Sequence, residues 1–241
     1  MAFRTQAGLP VPAVTAAQMR EVDRIAVEDF GLGVLQMMEN AGRNLARHVM
    51  DMVGGGEIVV MAGPGGNGGG GLCCARHLRN RGYEVRLLLS RNADALQGAA
   101  RHQLTPLLKT GLTPTTPVLA REALERAAVV VDALVGYSLR GAPRGRVAEL
   151  IEMCNAHARR VIALDVPSGL DATTGDASGV AIRADRTLTL ALPKTGLRGA
   201  PGALYVADIG IPPEAYRPLG LVFAPFFGRA YSVRLWVDDA T

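Results

Sequence analysis

Aromatic residues are scarce in this chain, at 5% of its 241 positions. Cysteine is scarcer: there are three, Cys73, Cys74 and Cys154, two of them adjacent. An odd count with a neighbouring pair is not a disulfide framework, and it fits a reducing, cytoplasmic compartment. No apolar run approaches the length of a membrane span, and Met1 to Val14 lacks the apolar centre of a secretory leader. Neither a membrane protein nor a secreted one is therefore expected. His48, His77, His102 and His157 have no partner at metal-ligand spacing, which argues against a zinc site. Lys and Arg are scattered without a dense block, so the net charge of +4 points to a small anionic ligand rather than nucleic acid.

Glycine, by contrast, is abundant. Of 29 glycines, seven fall in the nine residues Gly63-Pro-Gly-Gly-Asn-Gly-Gly-Gly-Gly71. This loop follows an apolar run, Ile58 to Ala62, that reads as a strand, and it precedes a helix expected from Leu72 to Arg81. Glycine lets backbone approach a phosphate closely, and a helix start offers it unpaired N–H groups.

Two helices come first. Thr15 can cap one running to about Phe30, and a second runs from Val34 to Val53 with apolar residues three and four apart. The chain then alternates. Strands are expected at Glu84–Leu89, Ala128–Asp132, Arg160–Asp165, Thr187–Leu192 and Leu204–Ala207, with helices at Ala93–Lys109, Arg121–Ala127 and Arg146–Ala158. Continuous apolar strands separated by helices argue for a mostly parallel sheet covered on both faces, a single α/β domain. Pro212-Pro213 and Pro218 to Phe227 read as a tail packed on its surface.

Ligands in such sheets sit beyond the carboxyl ends of the strands. Three strand ends here carry polar groups: Asn67 in the glycine loop, Asp132 followed by the loop through Arg140, and Asp165 followed by Ser168 and Asp171. Asp132 and Asp165 are each either a cap for the next segment or a functional carboxylate, and Arg140 is either a solvated charge or a phosphate ligand. Common nucleotide motifs do not fit. Gly63-x-Gly65-x-x-Gly68 matches the dinucleotide fingerprint, but the second strand ends near Ser90-Arg91 without an acidic ribose ligand. No Walker lysine follows the loop, and no serine nucleophile elbow is present.

Taken together, the segments resemble one family, the NAD(P)H-hydrate epimerases or YjeF N-terminal domain. The matching pieces are Met38-Glu-Asn-Ala-Gly42, the glycine loop, Ala75-Arg-His-Leu78, Val131-Asp-Ala-Leu-Val-Gly136, Leu164-Asp-Val-Pro-Ser-Gly-Leu170, Ala191-Leu-Pro-Lys-Thr-Gly-Leu197 and Asp208-Ile-Gly-Ile-Pro-Pro213. The resemblance implies a Rossmann-like three-layer α/β/α sandwich. It implies interconversion of the R and S forms of NADH or NADPH hydrated at C6 of the nicotinamide ring. Asp165 is then the catalytic candidate. Substrate contacts fall on Gly66, Asn67, Gly68, Gly69 and Gly70, on Gly136, Tyr137, Ser138, Leu139, Arg140, Gly141 and Ala142, and on Asp165. A potassium ion falls to Asn67, Asp132 and Ser168. The implied partners are a separate NAD(P)H-hydrate dehydratase and a second copy of the chain in a homodimer through the N-terminal helices.

The glycine loop departs from the family pattern Gly-Asn-Asn-Gly-Gly-Asp-Gly by placing glycine at Gly66 and Gly70. Phosphate binding by N–H groups is expected to survive this, whereas a lost charged hydrogen-bond partner costs about 1.5–3 kcal/mol. Two readings stay open: an epimerase, or a nucleotide-binding or protein-interaction module of the same fold with weakened or no catalysis.

Overall fold

The first parallel strand, Ile58–Ala62, is buried along its whole length, so both of its faces must be covered. A computed structural model describes residues 3–237. Its strands are β1 (Phe3–Thr5), β2 (Pro10–Val11), β3 (Ile58–Ala62), β4 (Val85–Leu89), β5 (Val129–Ala133), β6 (Val161–Leu164), β7 (Arg186–Leu190), β8 (Ala203–Ala207) and β9 (Ser232–Val237). Its α-helices are α1 (Ala16–Glu28), α2 (Val34–Met52), α3 (Gly66–Arg79), α4 (Gly98–Lys109), α5 (Ala120–Arg126) and α6 (Arg146–His157). One sheet runs in the order β2-β1-β9-β8-β7-β6-β5-β3-β4. Neighbours from β4 to β8 are parallel, and β9, β1 and β2 extend the β8 edge antiparallel.

Alternation along β3 sends its side chains to two cores. Ile58 and Val60 join Leu45 and Val49 of α2, Leu72 and Leu78 of α3, and Leu104 of α4. Val59 and Met61 join Ala123 and Leu124 of α5 with Leu150 and Ile151 of α6. This is the expected three-layer arrangement. A third cluster packs Met19, Val22 and Ile25 of α1 against Leu192, Val206, Tyr216 and Phe226, so the C-terminal segment covers the far part of the sheet. The α1 start carries the capping box read from Thr15, with Gln18 reaching back.

Two sequence expectations need correction. The helix after the glycine loop begins at Gly66, six residues before Leu72, so most of the loop is helix. Glycine is a poor helix former, by about 1 kcal/mol against alanine, and tertiary packing overrides that preference here. A methyl on Gly68 would stand 1.8 Å from the Gly63 carbonyl oxygen, and one on Gly71 would stand 2.5 Å from Ala133 Cβ. The glycines let the first turns of α3 lie against β5 and the β3 exit. The second correction concerns β1, β2 and β9, which the sequence reading omitted; they are short and take their order from pairing with one another.

Candidate active site

The parallel strands run β4-β3-β5-β6-β7-β8, and the order reverses between β3 and β5. The first crossover goes from β3 to β4, and the next returns past it to β5. That switch point opens a crevice beyond the carboxyl ends of both strands. A cavity of about 300 Å³ occupies it. Its walls come from Val34, Met37, Met38 and Ala41 of α2, Gly66, Asn67 and Gly70 of α3, Gly136, Tyr137 and Ser138 after β5, Leu164 and Asp165 at the end of β6, Leu190, Ile209, and Asp23 of α1. The N-cap of α3 is Gly65, which has no side chain to bond the first turn, so those N–H groups remain for a ligand.

Asp165 is the chemical centre of this cavity. It ends β6 with φ +69°, a left-handed conformation that a non-glycine residue adopts only at a cost of order 1–3 kcal/mol. The turn aims its carboxylate at Lys194, and the two form a buried ion pair. Lys194 also donates to the Leu190 carbonyl at 2.9 Å. The second carboxylate oxygen accepts the Tyr137 N–H at 3.0 Å. Lys194 is 1% exposed and is one of only two lysines in the chain. Gly136 closes the corner: a methyl there would lie 2.9 Å from Asp165 Oδ2 and 3.1 Å from Asn67 Oδ1, so these two side chains meet over its Cα.

Asp132 and Ser168 sit one layer behind. Asp132 is fully buried and accepts hydrogen bonds from the Ser168 N–H at 2.8 Å, the Ser168 hydroxyl at 2.7 Å and the Leu134 N–H at 3.2 Å. Burial pushes its carboxyl up to about 6, against the pull of those donors. The Ser168 hydroxyl accepts from the Val135 N–H and lies 3.0 Å from the Val135 carbonyl, so its single proton faces two acceptors. Asn67 Nδ2 is buried without a hydrogen-bond partner. Carboxylate, hydroxyl, amide and carbonyl oxygens are a hard donor set that suits a monovalent cation, whereas the unpaired Asn67 Nδ2, a donor, suits an acceptor on a ligand.

Of the residues read from the sequence, Gly66, Asn67, Gly70, Gly136, Tyr137, Ser138 and Asp165 line the cavity. Gly68 and Gly69 are buried in α3, facing Gly63 and Met38. Leu139, Arg140, Gly141 and Ala142 continue beyond Ser138 in the loop, with Arg140 and Gly141 exposed. A carboxylate at Gly70 would first displace Leu164, whose methyl lies 2.8 Å from the place of a Cβ. Two polar members went unassigned in the sequence reading. Lys194 had a usable signal, a lone lysine in an apolar segment just after a strand. Asp23 had none, because it sits among Arg20, Glu21 and Arg24 on a helix with an apolar face elsewhere.

The seam between α2 and α3 holds the one cluster of three potential metal ligands among the described residues, Glu39, Cys73 and His77. Glu39 there is committed to Arg76 at 2.5 Å and to His77 at 2.7 Å, and burial pushes the Cys73 thiol up to about 12. We read this cluster as a joint between the helices.

The chain is similar to known proteins in sequence and in fold. The family described as "YjeF-related protein N-terminus" matches residues 34–196. A protein of Dehalogenimonas lykanthroporepellens named NAD(P)H-hydrate epimerase is 46% identical over 98% of both chains. One of the same name from Rhodopirellula baltica is 38% identical over 87% of this chain and 88% of its own. A protein of Moorella thermoacetica named bifunctional NAD(P)H-hydrate repair enzyme Nnr is 39% identical, and this chain covers 44% of it. The crystal structure of yeast ynu0 superposes with a TM-score of 0.83 over 93% of this chain and all of that one, at 23% identity, which establishes the shared fold. The chain therefore belongs to the YjeF N-terminal family.

Proposed function

We propose that the protein interconverts the R and S C6-hydrates of NADH and NADPH. The observation that carries this reading is Asp165, held by the buried Lys194, lining a cavity beside the free N-terminus of α3. The relatives named for this activity, matched along nearly their whole length, support it. The diphosphate lies at the first turn of α3, on Gly66 and Asn67, and along the loop from Gly136 to Ala142, with Arg140 free to approach it. The hydrated ring enters the cavity, where Met37, Met38, Ala41 and Leu190 supply apolar walls.

The hydrate is a carbinolamine. Ring N1 can expel the C6 hydroxyl to give an iminium, and water can return on either face. An acid must protonate the departing hydroxyl, and a base must take a proton from the returning water. Asp165 is the base in one direction, held in place by Lys194 and the Tyr137 N–H. A potassium ion bound by Asn67, Asp132 and Ser168 would offset the diphosphate charge and fix the loops after β5 and β6. The functional partner is a dehydratase that consumes one epimer. The exposed apolar residues Val27 on α1, Phe30 in the turn after it, and Val34 and Leu35 on α2 support a homodimer through these helices.

The test supplies the purified slow epimer with a dehydratase that acts on the other, and follows return of NADH. The reading requires the protein to accelerate that return over buffer. No acceleration, with ligand binding retained, would identify a binding module of this fold instead.

A further inference from the structure

Two carboxyl groups line the cavity, and one of them is Asp165. The other is Asp23, on α1. Its neighbours on that helix form a surface ladder in which Arg24 pairs with Glu21 at 2.8 Å and Glu28 at 2.9 Å. Asp23 is turned away from this ladder, half-buried, and accepts a hydrogen bond from the Tyr137 hydroxyl across 114 residues of chain. Tyr137 joins the two acids: its N–H donates to Asp165 and its O–H to Asp23. Tyr137 thus bridges the two carboxyl groups in one cavity. Lys194 lies 5.7 Å from the Tyr137 ring centroid, so its cation faces the middle of this span.

Epimerisation at C6 sets a geometric requirement. Hydroxyl leaves one face of the ring and water adds to the other, so proton donor and acceptor must stand on opposite faces. We propose that Asp23 is the general acid of the reaction, standing across the ring from Asp165; this rests on the epimerase reading above. As the C6–O bond breaks, the Asp23 carboxyl proton passes to the leaving oxygen, water departs, and the N1 electron pair forms the C6=N1 iminium. A water then bonds to C6 from the other face, the iminium pair returns to N1, and the proton released goes to Asp165. Solvent returns a proton to Asp23 and takes one from Asp165, so nothing is consumed. In the reverse direction the two acids exchange roles.

The surroundings suit the assignment. Asp165 faces an ammonium, whereas the partner of Asp23 is a neutral phenol. Burial raises the Asp23 carboxyl above the ordinary aspartate range; the Tyr137 hydrogen bond and the Lys194 charge oppose this, and the Asp165 charge adds to it. A carboxyl whose environment favours its proton-bearing form is suited to acid work. Tyr216, from the C-terminal segment, with Asp208 near it, and Arg20, on α1 itself, are further titratable groups around this span among the described residues. Once Asp23 has given up its proton, the Tyr137 hydroxyl stabilises the carboxylate.

The experiment measures epimerisation against pH for the parent, Asp23→Asn, Asp23→Glu and Tyr137→Phe proteins, with thermal unfolding alongside. Asp23→Asn is expected to lose at least about 100-fold in kcat with KM little changed, and to lose the alkaline limb of the kcat profile. Asp23→Glu is expected to recover part of the rate. Tyr137→Phe removes a donor that favours the charged acid, so the alkaline limb moves to higher pH. A rate within about threefold of the parent in Asp23→Asn overturns the assignment. An alkaline limb unmoved in Tyr137→Phe also overturns it, and that readout stands even where Asp23→Asn does not fold. A parent protein without activity overturns the epimerase reading itself, and the assignment falls with it.

Discussion

Replacing Gly71 by alanine adds one methyl group to α3, and the structure says where it goes: 2.5 Å from Ala133 Cβ on β5. Overpacking of this kind costs about 2 kcal/mol, and the better helix propensity of alanine returns about 1 kcal/mol, so a net loss near ~1 kcal/mol is expected. Ala133→Gly alone loses a buried methyl and adds backbone freedom, together about 1.5 kcal/mol. If the two sites were independent, the double variant would lose about 2.5 kcal/mol. They contend for the same space, so exchanging methyl for hydrogen across the contact removes the clash. The double variant is then expected to lose only about 0.5 kcal/mol, a coupling of about 2 kcal/mol. Urea unfolding of the parent, both singles and the double measures this directly. Additivity within about 0.5 kcal/mol would refute the claim that packing, rather than ligand contact alone, demands glycine here. Two neighbours calibrate the series. Gly66→Ala meets nothing nearer than Met38 Cε at 3.8 Å and is expected to be neutral or stabilising by up to about 1 kcal/mol. Gly68→Ala drives a methyl into backbone and is expected to cost about 3 kcal/mol or more.

Further outcomes follow from the same structure. Lys194→Met leaves Asp165 buried beside an apolar chain; a stability loss of about 3 kcal/mol is expected in urea, with much of it recovered by adding Asp165→Asn. His48 accepts from Arg186 at Nδ1 and pairs through Nε2 with the Ser232 hydroxyl at 2.9 Å, and burial, aided by the Arg186 charge, holds it down to about 4. Its folded value lies below the unfolded one of ~6.5, so its contribution is complete above about pH 6.5 and is lost as pH falls toward about 4, at most about 3 kcal/mol. Unfolding midpoints at about pH 7.5 and about pH 4.5 are expected to differ less in His48→Gln than in the parent. Potassium in place of choline is expected to raise the unfolding midpoint of the parent, by up to about 2.7 kcal/mol at a hundredfold excess over Kd, and to leave Asp132→Asn unmoved.

The parallel strands were legible because full burial on both faces demands continuous apolar runs such as Val129 to Val131. Strand ends then located Asn67, Asp132, Asp165 and Ser168 at one edge of the sheet. The start of α3 was not legible, since five glycines from Gly66 to Gly71 oppose helix formation locally and only contacts with Gly63, Met38 and Ala133 reverse the balance. The depth of each polar group was not legible either. Asn67 and Asp165 reach the cavity, while Asp132 and Ser168 bond each other behind its wall, a distinction set by the pleat and the turns after β5 and β6. Asp23 was hidden because its role depends on a tyrosine far along the chain.

The most direct measurement is the epimerisation rate of Asp165→Asn on purified hydrate, with its fold checked by unfolding. The account predicts a fall of at least about 100-fold while the protein remains folded. A folded Asp165→Asn protein that epimerises at the parental rate would contradict it.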